Sequence, residues 1–278
     1  MSSLARYGQR IIAHDIVPVF GDILTTRNMY RRIVLRLLVF MLSFILISCS
    51  AQPMYDKATD AYEFPVRPGM EEWKAFRTHD EMLEACQVPE SILKTMSTEG
   101  LVETVLCYPL RIDAFAYNDL QTGFEAIASQ FNGIPELLSR EDTATELLAK
   151  YRSLDIVVVN DWEPAERAEY IIGTVAFTEI LMAQDAIVSK MNKTERSALL
   201  SEAVKKSTEK CQLAEAYGSS GQIYTTWIAA RVLQHENYAP FVQKVEESEA
   251  LQLFIANGFL TSVDLLDEII SMAQEFGR

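Results

Sequence analysis

Two histidines have neighbours of the kind that acid–base chemistry uses. His79 precedes Asp80 just after a predicted helix start, and His235 precedes Glu236 at a predicted helix end. A histidine paired with a carboxylate can exchange a proton near neutral pH. Because histidines at exposed helix ends are common, we expect both at the surface, and they remain candidates for a catalytic pair.

Carboxylates clustered at one predicted helix start form a second candidate site. The cluster consists of Asp161, Glu163, Glu166 and Glu169. Acidic residues in a first turn interact favourably with the helix macrodipole, so we expect a solvated face. Calcium binding and glycosidic acid–base work are the alternatives, but no DxDxDG-type loop supports calcium. The sequence contains no HExxH, P-loop or GxSxG motif, and it predicts no metal, no cofactor and no defined catalytic residue.

The chain contains four cysteines, Cys49, Cys86, Cys107 and Cys211. The spacings of 21 and 104 residues among the last three match no metal-binding pattern, which needs close pairs. Cys86 and Cys107 are able to form a disulfide if their helices touch. The simpler interpretation is that they are small buried residues of a helical core.

The net charge of −14 is divided unevenly along the chain. Residues 1–48 carry +4, whereas the remaining 230 residues carry −18. A nucleic-acid partner needs a basic face, so the acidic part disfavours nucleic-acid binding. The basic part is typical of a targeting segment.

A basic stretch followed by an apolar run predicts a signal peptide over residues 29–48. Three arginines (Arg31, Arg32 and Arg36) precede 12 uncharged residues, 37–48. Because spanning a bilayer takes ~20 apolar residues, this run is short for a permanent anchor and has the length of a signal-peptide core. We expect translation to start at Met29, so that residues 1–28 are not part of the protein.

The end of the apolar run, Leu46-Ile47-Ser48-Cys49, resembles the lipobox of bacterial lipoproteins. The resemblance implies cleavage after Ser48 and acylation of Cys49, which would anchor the protein to a membrane. Ser50 follows the cysteine in place of the Asp that resembles an inner-membrane retention signal, so we expect an outer-membrane location facing the periplasm. The alternative is ordinary signal-peptide cleavage near Ala51, which would release a soluble protein.

Helix signals recur beyond a tether over residues 49–67 and predict a single all-helical domain over 68–278. Thr78 and Ser97 are predicted helix caps, and Pro89 is predicted to open a helix. Residues 165–190 are predicted to form one long helix. Only Glu179 interrupts its apolar run from Tyr170 to Met182, and we expect a buried central helix, not a membrane span. The β-branched segment 154–159 is predicted to be a linker or a helix edge.

One internal sequence repeat indicates stacked helical hairpins. Val88-Pro89-Glu90 and Ile134-Pro135-Glu136 lie 46 residues apart, and each precedes a helix predicted to begin at Ser97 or Thr143. HEAT-like repeats have periods of ~40–47 residues, although no third copy appears at the next offset. The predicted fold is therefore all-α, with hairpins in an α-α superhelix or HEAT-like array and little or no sheet.

The stretch from Phe64 to about Tyr151 resembles a set of uncharacterised bacterial secreted proteins and lipoproteins. The residues that carry the resemblance include Phe64-Pro65-Val66-Arg67-Pro68-Gly69, Glu72-Trp73, Cys86-Gln87-Val88-Pro89-Glu90 and Tyr108-Pro109-Leu110. The resemblance implies no activity and no catalytic residue.

These features favour a non-enzymatic, lipid-anchored envelope protein that binds or scaffolds another envelope protein or a peptide. The alternative is an envelope hydrolase that acts on glycan or peptide through carboxylates or a His–carboxylate pair. The aromatic residues Trp73, Trp162 and Trp227 could line a sugar or peptide groove, but aromatic residues at helical spacing are more often part of the core.

Overall fold

A computed structural model of the chain describes residues 60–218 and 220–277, and these residues form helices with no strand among them. The first eight α-helices are α1 (Glu71–Ala75), α2 (His79–Ala85), α3 (Glu90–Leu93), α4 (Thr98–Leu106), α5 (Leu120–Gln130), α6 (Gly133–Ser139), α7 (Thr143–Ser153) and α8 (Pro164–Ala168). They are followed by α9 (Phe177–Met182), α10 (Asp185–Val188), α11 (Lys193–Gln212), α12 (Ala214–Tyr217), α13 (Ser220–His235), α14 (Ala239–Glu247), α15 (Glu249–Asn257) and α16 (Asp264–Phe276). The prediction of an all-α fold is confirmed.

Both predicted caps, Thr78 and Ser97, are present, and the helix predicted to begin at Thr143 does begin there, although Thr143 does not cap it. The Thr78 and Ser97 hydroxyls each accept a backbone N–H three residues later, at 3.2 and 2.9 Å. Thr143 is instead the first residue of α7, and its hydroxyl donates to the Leu137 carbonyl oxygen. Asp142 precedes it, but its carboxylate accepts from the Thr98 hydroxyl of the neighbouring hairpin at 2.7 Å.

The two hairpins of the internal repeat pack against each other, since α4 contacts both α6 and α7. The Asn132 side chain accepts from the Val88 N–H at 3.0 Å and donates to the Val88 carbonyl at 2.7 Å. Arg140 donates to the carbonyls of Leu93 and Met96, both at 2.8 Å. Equivalent turns of neighbouring hairpins are therefore joined by hydrogen bonds between side chains and backbone.

A third hairpin comes next, which the sequence did not predict. The short helix α10 leads into α11, whose N-cap, Asn192, forms a full capping box, and both helices contact α7. Lys190 donates to the carbonyls of Leu138 and Arg140, both at 2.6 Å, as Arg140 does one hairpin earlier. A search at one fixed offset misses this copy because it lacks the proline and lies 50 residues after Asp142.

The predicted helix over 165–190 is continuous only to Met182. α8 passes into a π-helix over Glu169–Ala176 and then into α9, after which Gln184 adopts extended backbone angles. The Gln184 side chain donates to the Ile180 carbonyl at 2.8 Å and so covers the helix end. Two 3₁₀ segments, Arg111–Ala116 and Val158–Asp161, complete the regular structure among the described residues.

One main core extends from Phe64 to Ala273, and a smaller cluster surrounds Tyr170 and Tyr217. Residues 60–67, which belong to the predicted tether, lie on this core: Phe64 is buried, and the Tyr62 N–H donates to the Thr104 hydroxyl at 2.9 Å. No helix in 60–218 or 220–277 has both the length and the apolar character needed to cross a bilayer.

Candidate functional site

A cavity of about 300 Å³ opens between α11, α13 and α16. Its walls are mostly apolar, with Val263, Leu266 and Ile270 contributed by α16 and the residue before it. Lys210 and Cys211, near the end of α11, form the opposite wall. The volume is at the lower end of the range for small-molecule sites and suits one side chain or a small apolar group.

One lining residue of this cavity has a buried polar atom without a partner among the described residues. Thr226 lies on α13 and is fully buried, yet its hydroxyl makes no hydrogen bond there. Leaving a buried hydroxyl unsatisfied costs about 1–3 kcal/mol, so a ligand that supplies a hydrogen-bond group gains that amount back. The neighbouring Gln222 amide is satisfied, since it donates to the Ser207 carbonyl at 3.1 Å.

A buried ion pair lies behind the cavity wall. The Lys210 ammonium donates to Glu179 Oε2 at 2.6 Å, to Thr225 Oγ1 at 2.6 Å and to the Gly221 carbonyl at 3.0 Å. The side chains of Glu179 and Lys210 are 0% and 1% exposed. Burial lowers the pKa of Lys210, and the charge of Glu179 opposes that shift. All three ammonium protons are used, so Lys210 acts here as a fixed cation.

Two hydroxyls complete the network on Glu179. Tyr151 on α7 and Thr225 on α13 both donate to Glu179 Oε1, at 3.0 and 2.7 Å. Burial raises the pKa of Tyr151 well above its usual value, and Glu179 adds to that shift. Tyr151 thus stays a hydrogen-bond donor, and the network joins four helices through one carboxylate.

The π-helix before α9 has its own support from Arg111. The Arg111 guanidinium donates to the Gly173 carbonyl at 2.8 Å and pairs with Glu169, while it also donates to the Tyr108 carbonyl at 3.0 Å. A Cβ on Gly173 would lie 2.9 Å from the guanidinium, so a side chain at this position would displace Arg111 from its present contacts. Such π segments often occur near functional sites, and this one leads directly into the helix that carries Glu179.

Both predicted histidines form a pair with a carboxylate, but neither lies at the cavity. His235 Nε2 is 3.0 Å from Asp185 Oδ1, and the Asp185 side chain is 69% exposed. His79 Nε2 is 3.6 Å from Asp113. Burial raises the pKa of Asp113, and the nearby histidine opposes that rise. The carboxylates are therefore not the sequence neighbours Asp80 and Glu236. The two pairs are on the surface, as expected, and are not brought together with the acidic cluster.

The acidic cluster divides into separate environments. Glu163 and Glu166 are exposed at the start of α8, as the solvated-face interpretation predicts. Glu169, the first residue of the π-helix, instead pairs with Arg111. The Asp161 side chain and the predicted lipidation site Cys49 lie outside the described residues. No group of acidic, histidine or cysteine side chains in the described part of the chain is arranged to hold a metal ion.

Among the described residues no disulfide links Cys86 to Cys107, and Cys211 is not part of a disulfide either. Cys86 is buried, in agreement with the simpler interpretation, and burial raises its pKa to about 12. The three tryptophans do not line the cavity: Trp227 is in the core, Trp162 contacts Tyr170 and Trp73 contacts Phe76.

Sequence reasoning missed the residues of the cavity and of the buried pair. The available signal was Glu179, a lone acid in an apolar run, which needs a buried cation as its partner. Comparison of the chain with protein-family models, curated proteins and solved structures found no match. The resemblances at Leu46–Cys49 and at Phe64–Tyr151 therefore stay predictions.

Proposed function

We propose that the protein is a lipid-anchored binding module of the bacterial cell envelope, which binds its partner through the cavity between α11, α13 and α16. The observation that carries the proposal is an open, mostly apolar cavity that contains one buried hydroxyl, that of Thr226, without a partner among the described residues. An apolar side chain followed by a peptide amide has the matching chemistry, because it fills the cavity and offers a hydrogen bond. The partner is therefore a peptide segment of another envelope protein.

The anchor is the acylated Cys49, and the location is the outer membrane facing the periplasm. The support is the lipobox pattern and the charge of the remaining 230 residues, which at −18 is too negative to settle on anionic headgroups unaided. Eleven residues from Cys49 to the first described residue, Asp60, span at most about 40 Å. The binding domain would thus stay close to the bilayer.

Labelling with a radioactive fatty acid tests the anchor. The wild-type protein is expected to incorporate label, and Cys49→Ala is expected to incorporate none. Label in the Cys49→Ala variant would show that the lipobox interpretation is wrong. Cys211→Ala serves as the matched control, because Cys211 is an exposed free thiol of the folded domain.

The cavity is tested with N-acetyl-phenylalanine methylamide as a peptide mimic, observed through the methyl NMR signals of Leu266 and Ile270. We expect a saturable shift in the wild-type protein. Ala214→Trp fills the cavity from an exposed position and should abolish the shift. Ala165→Trp makes the same change at an exposed alanine of α8 and should leave it intact. Equal shifts in both variants would contradict the proposal.

The biological partner is then sought by affinity capture from solubilised envelopes with the wild-type protein and the same two variants. A partner that uses the cavity is retained by wild type and Ala165→Trp and lost with Ala214→Trp. Proteins retained by all three are background. The hydrolase alternative is not proposed, because neither histidine pair lines the cavity and the acidic cluster is divided between separate environments.

A further inference from the structure

A second cavity, of about 250 Å³, lies between α4 and α7, the equivalent helices of the first two hairpins. Its walls carry Glu99 and Glu103 from α4 and Glu146 and Lys150 from α7. The lining thus holds three carboxylates and one ammonium group. Because this acidic cavity is separate from the apolar one, its ligand is independent of the proposed function.

The floor of the acidic cavity is a buried ion pair that leaves one acceptor unused. The Lys150 ammonium pairs with Glu103 Oε1, and both side chains are 6% exposed. The other oxygen, Glu103 Oε2, is buried and has no hydrogen-bond partner among the described residues. A buried carboxylate oxygen without a donor is costly, and it marks a position where a ligand N–H would be stabilising.

The rim adds two carboxylates without an ion pair in the described part of the chain. Glu99 is exposed on α4, one turn before Glu103, and Glu146 is half-buried on α7. The pKa of Glu146 is raised, first by burial and then by the charges of Glu99 and Asp142. These carboxylates therefore repel one another across the groove, and a cation between them would relieve the repulsion.

We infer that this cavity binds a guanidinium group, with Glu103 Oε2 at its floor and Glu99 and Glu146 at its rim. A guanidinium is planar and carries five N–H donors, so one group reaches acceptors on both helices. A metal ion fits less well, because these carboxylates are not arranged as a metal-holding cluster and the Lys150 ammonium occupies one side. The source is either an arginine side chain of a protein or a small free guanidine.

Isothermal titration calorimetry of the full-length protein with two probes tests the site and distinguishes the sources. The probes are methylguanidine and the peptide acetyl-Ala-Ala-Arg-Ala-Ala-amide, which each carry one positive charge, with the norleucine peptide as the neutral control. We expect the arginine peptide to bind, the norleucine peptide not to bind, and the affinity to fall at high salt. Tighter binding of methylguanidine than of the peptide assigns the site to a small solute, and the reverse assigns it to an arginine side chain.

The matched variants keep the Glu103–Lys150 pair and change only exposed or half-buried carboxylates. Glu99→Gln/Glu146→Gln should weaken binding of the preferred probe by about tenfold, since each removes one partly solvated ion pair. Glu72→Gln/Glu141→Gln makes the same change in net charge at exposed positions outside the cavity and should bind as the wild type does. Absence of binding by either probe at millimolar concentration, or equal weakening by both double variants, would overturn the inference.

Discussion

Replacing Lys210 with methionine should destabilise the protein strongly. The side chain keeps a similar length, but Glu179 loses the cation it is paired with, and the Gly221 carbonyl loses a donor. Since both members of the pair are at most 1% exposed, solvent does not compensate for the loss. Breaking a buried pair on one side costs about 3–5 kcal/mol, which for a domain of this size lowers Tm by about 10 °C.

Urea unfolding followed by far-UV circular dichroism measures the change, with Lys205→Met as the control. Lys205 is on the same helix, but its side chain is 59% exposed, so its loss should change the free energy of unfolding by at most about 0.5 kcal/mol. Equal free energies of unfolding for Lys210→Met and Lys205→Met would refute the reasoning about burial.

The double variant Glu179→Gln/Lys210→Met tests whether charge is the cause. A glutamine at 179 still accepts from Tyr151 and Thr225 but leaves no buried charge, so the double variant should be more stable than Lys210→Met alone. The two single effects then sum to more than the double effect, by about 1–3 kcal/mol. Additive effects would show that the lost packing, and not the unpaired charge, destabilises the single variants.

Individual contacts give three further predictions. In alkylation with mass mapping, Cys211 should react in the native protein, whereas Cys86, whose pKa burial raises to about 12, should react only on unfolding; native labelling of Cys86 would contradict its burial. The folded-state pKa of Glu146 is raised, so its contribution to stability is present below about pH 4.5 and is lost as the pH rises. Glu146→Gln should therefore be more stable than the wild type at pH 7 and equal to it in acid. Urea unfolding at the two pH values measures the difference. Asn132→Ala should cost about 1–3 kcal/mol in urea unfolding, since both backbone groups of Val88 lose their partner, and a smaller effect would mean that water replaces the amide.

Local signals in the sequence were sufficient for much of the first half of the fold. Thr78 and Ser97 cap helices because a hydroxyl three residues before a free N–H is a local arrangement. The internal repeat that begins at residues 88 and 134 was visible because matching residues of the two copies are separated by one constant distance along the sequence. Where the offset changed, at the hairpin that begins at Asp185, the same architecture continued without a matching sequence pattern.

The candidate site was not predictable in the same way, because long-range packing creates it. Lys206 and Lys210 belong to a polar, lysine-rich helix, and nothing local distinguishes them from exposed Lys205. They are buried because α11 packs against α7 and α13 on that face. Glu179 was the stronger signal, since an acid in a buried helix requires a cation, but the sequence does not say which lysine supplies it.

The buried pair and the apolar cavity share Lys210, so a change in the pair should also alter binding at the cavity. From α11, the Lys210 ammonium holds Gly221 and Thr225 of α13, beside the wall of the cavity. Without those bonds, the apolar faces of α11, α13 and α16 are free to close the gap, since closing a cavity is favourable. We therefore expect Glu179→Gln/Lys210→Met to fold but to lose the NMR shift caused by N-acetyl-phenylalanine methylamide. A folded double variant that binds the mimic with wild-type affinity would show that helix packing alone keeps the cavity open.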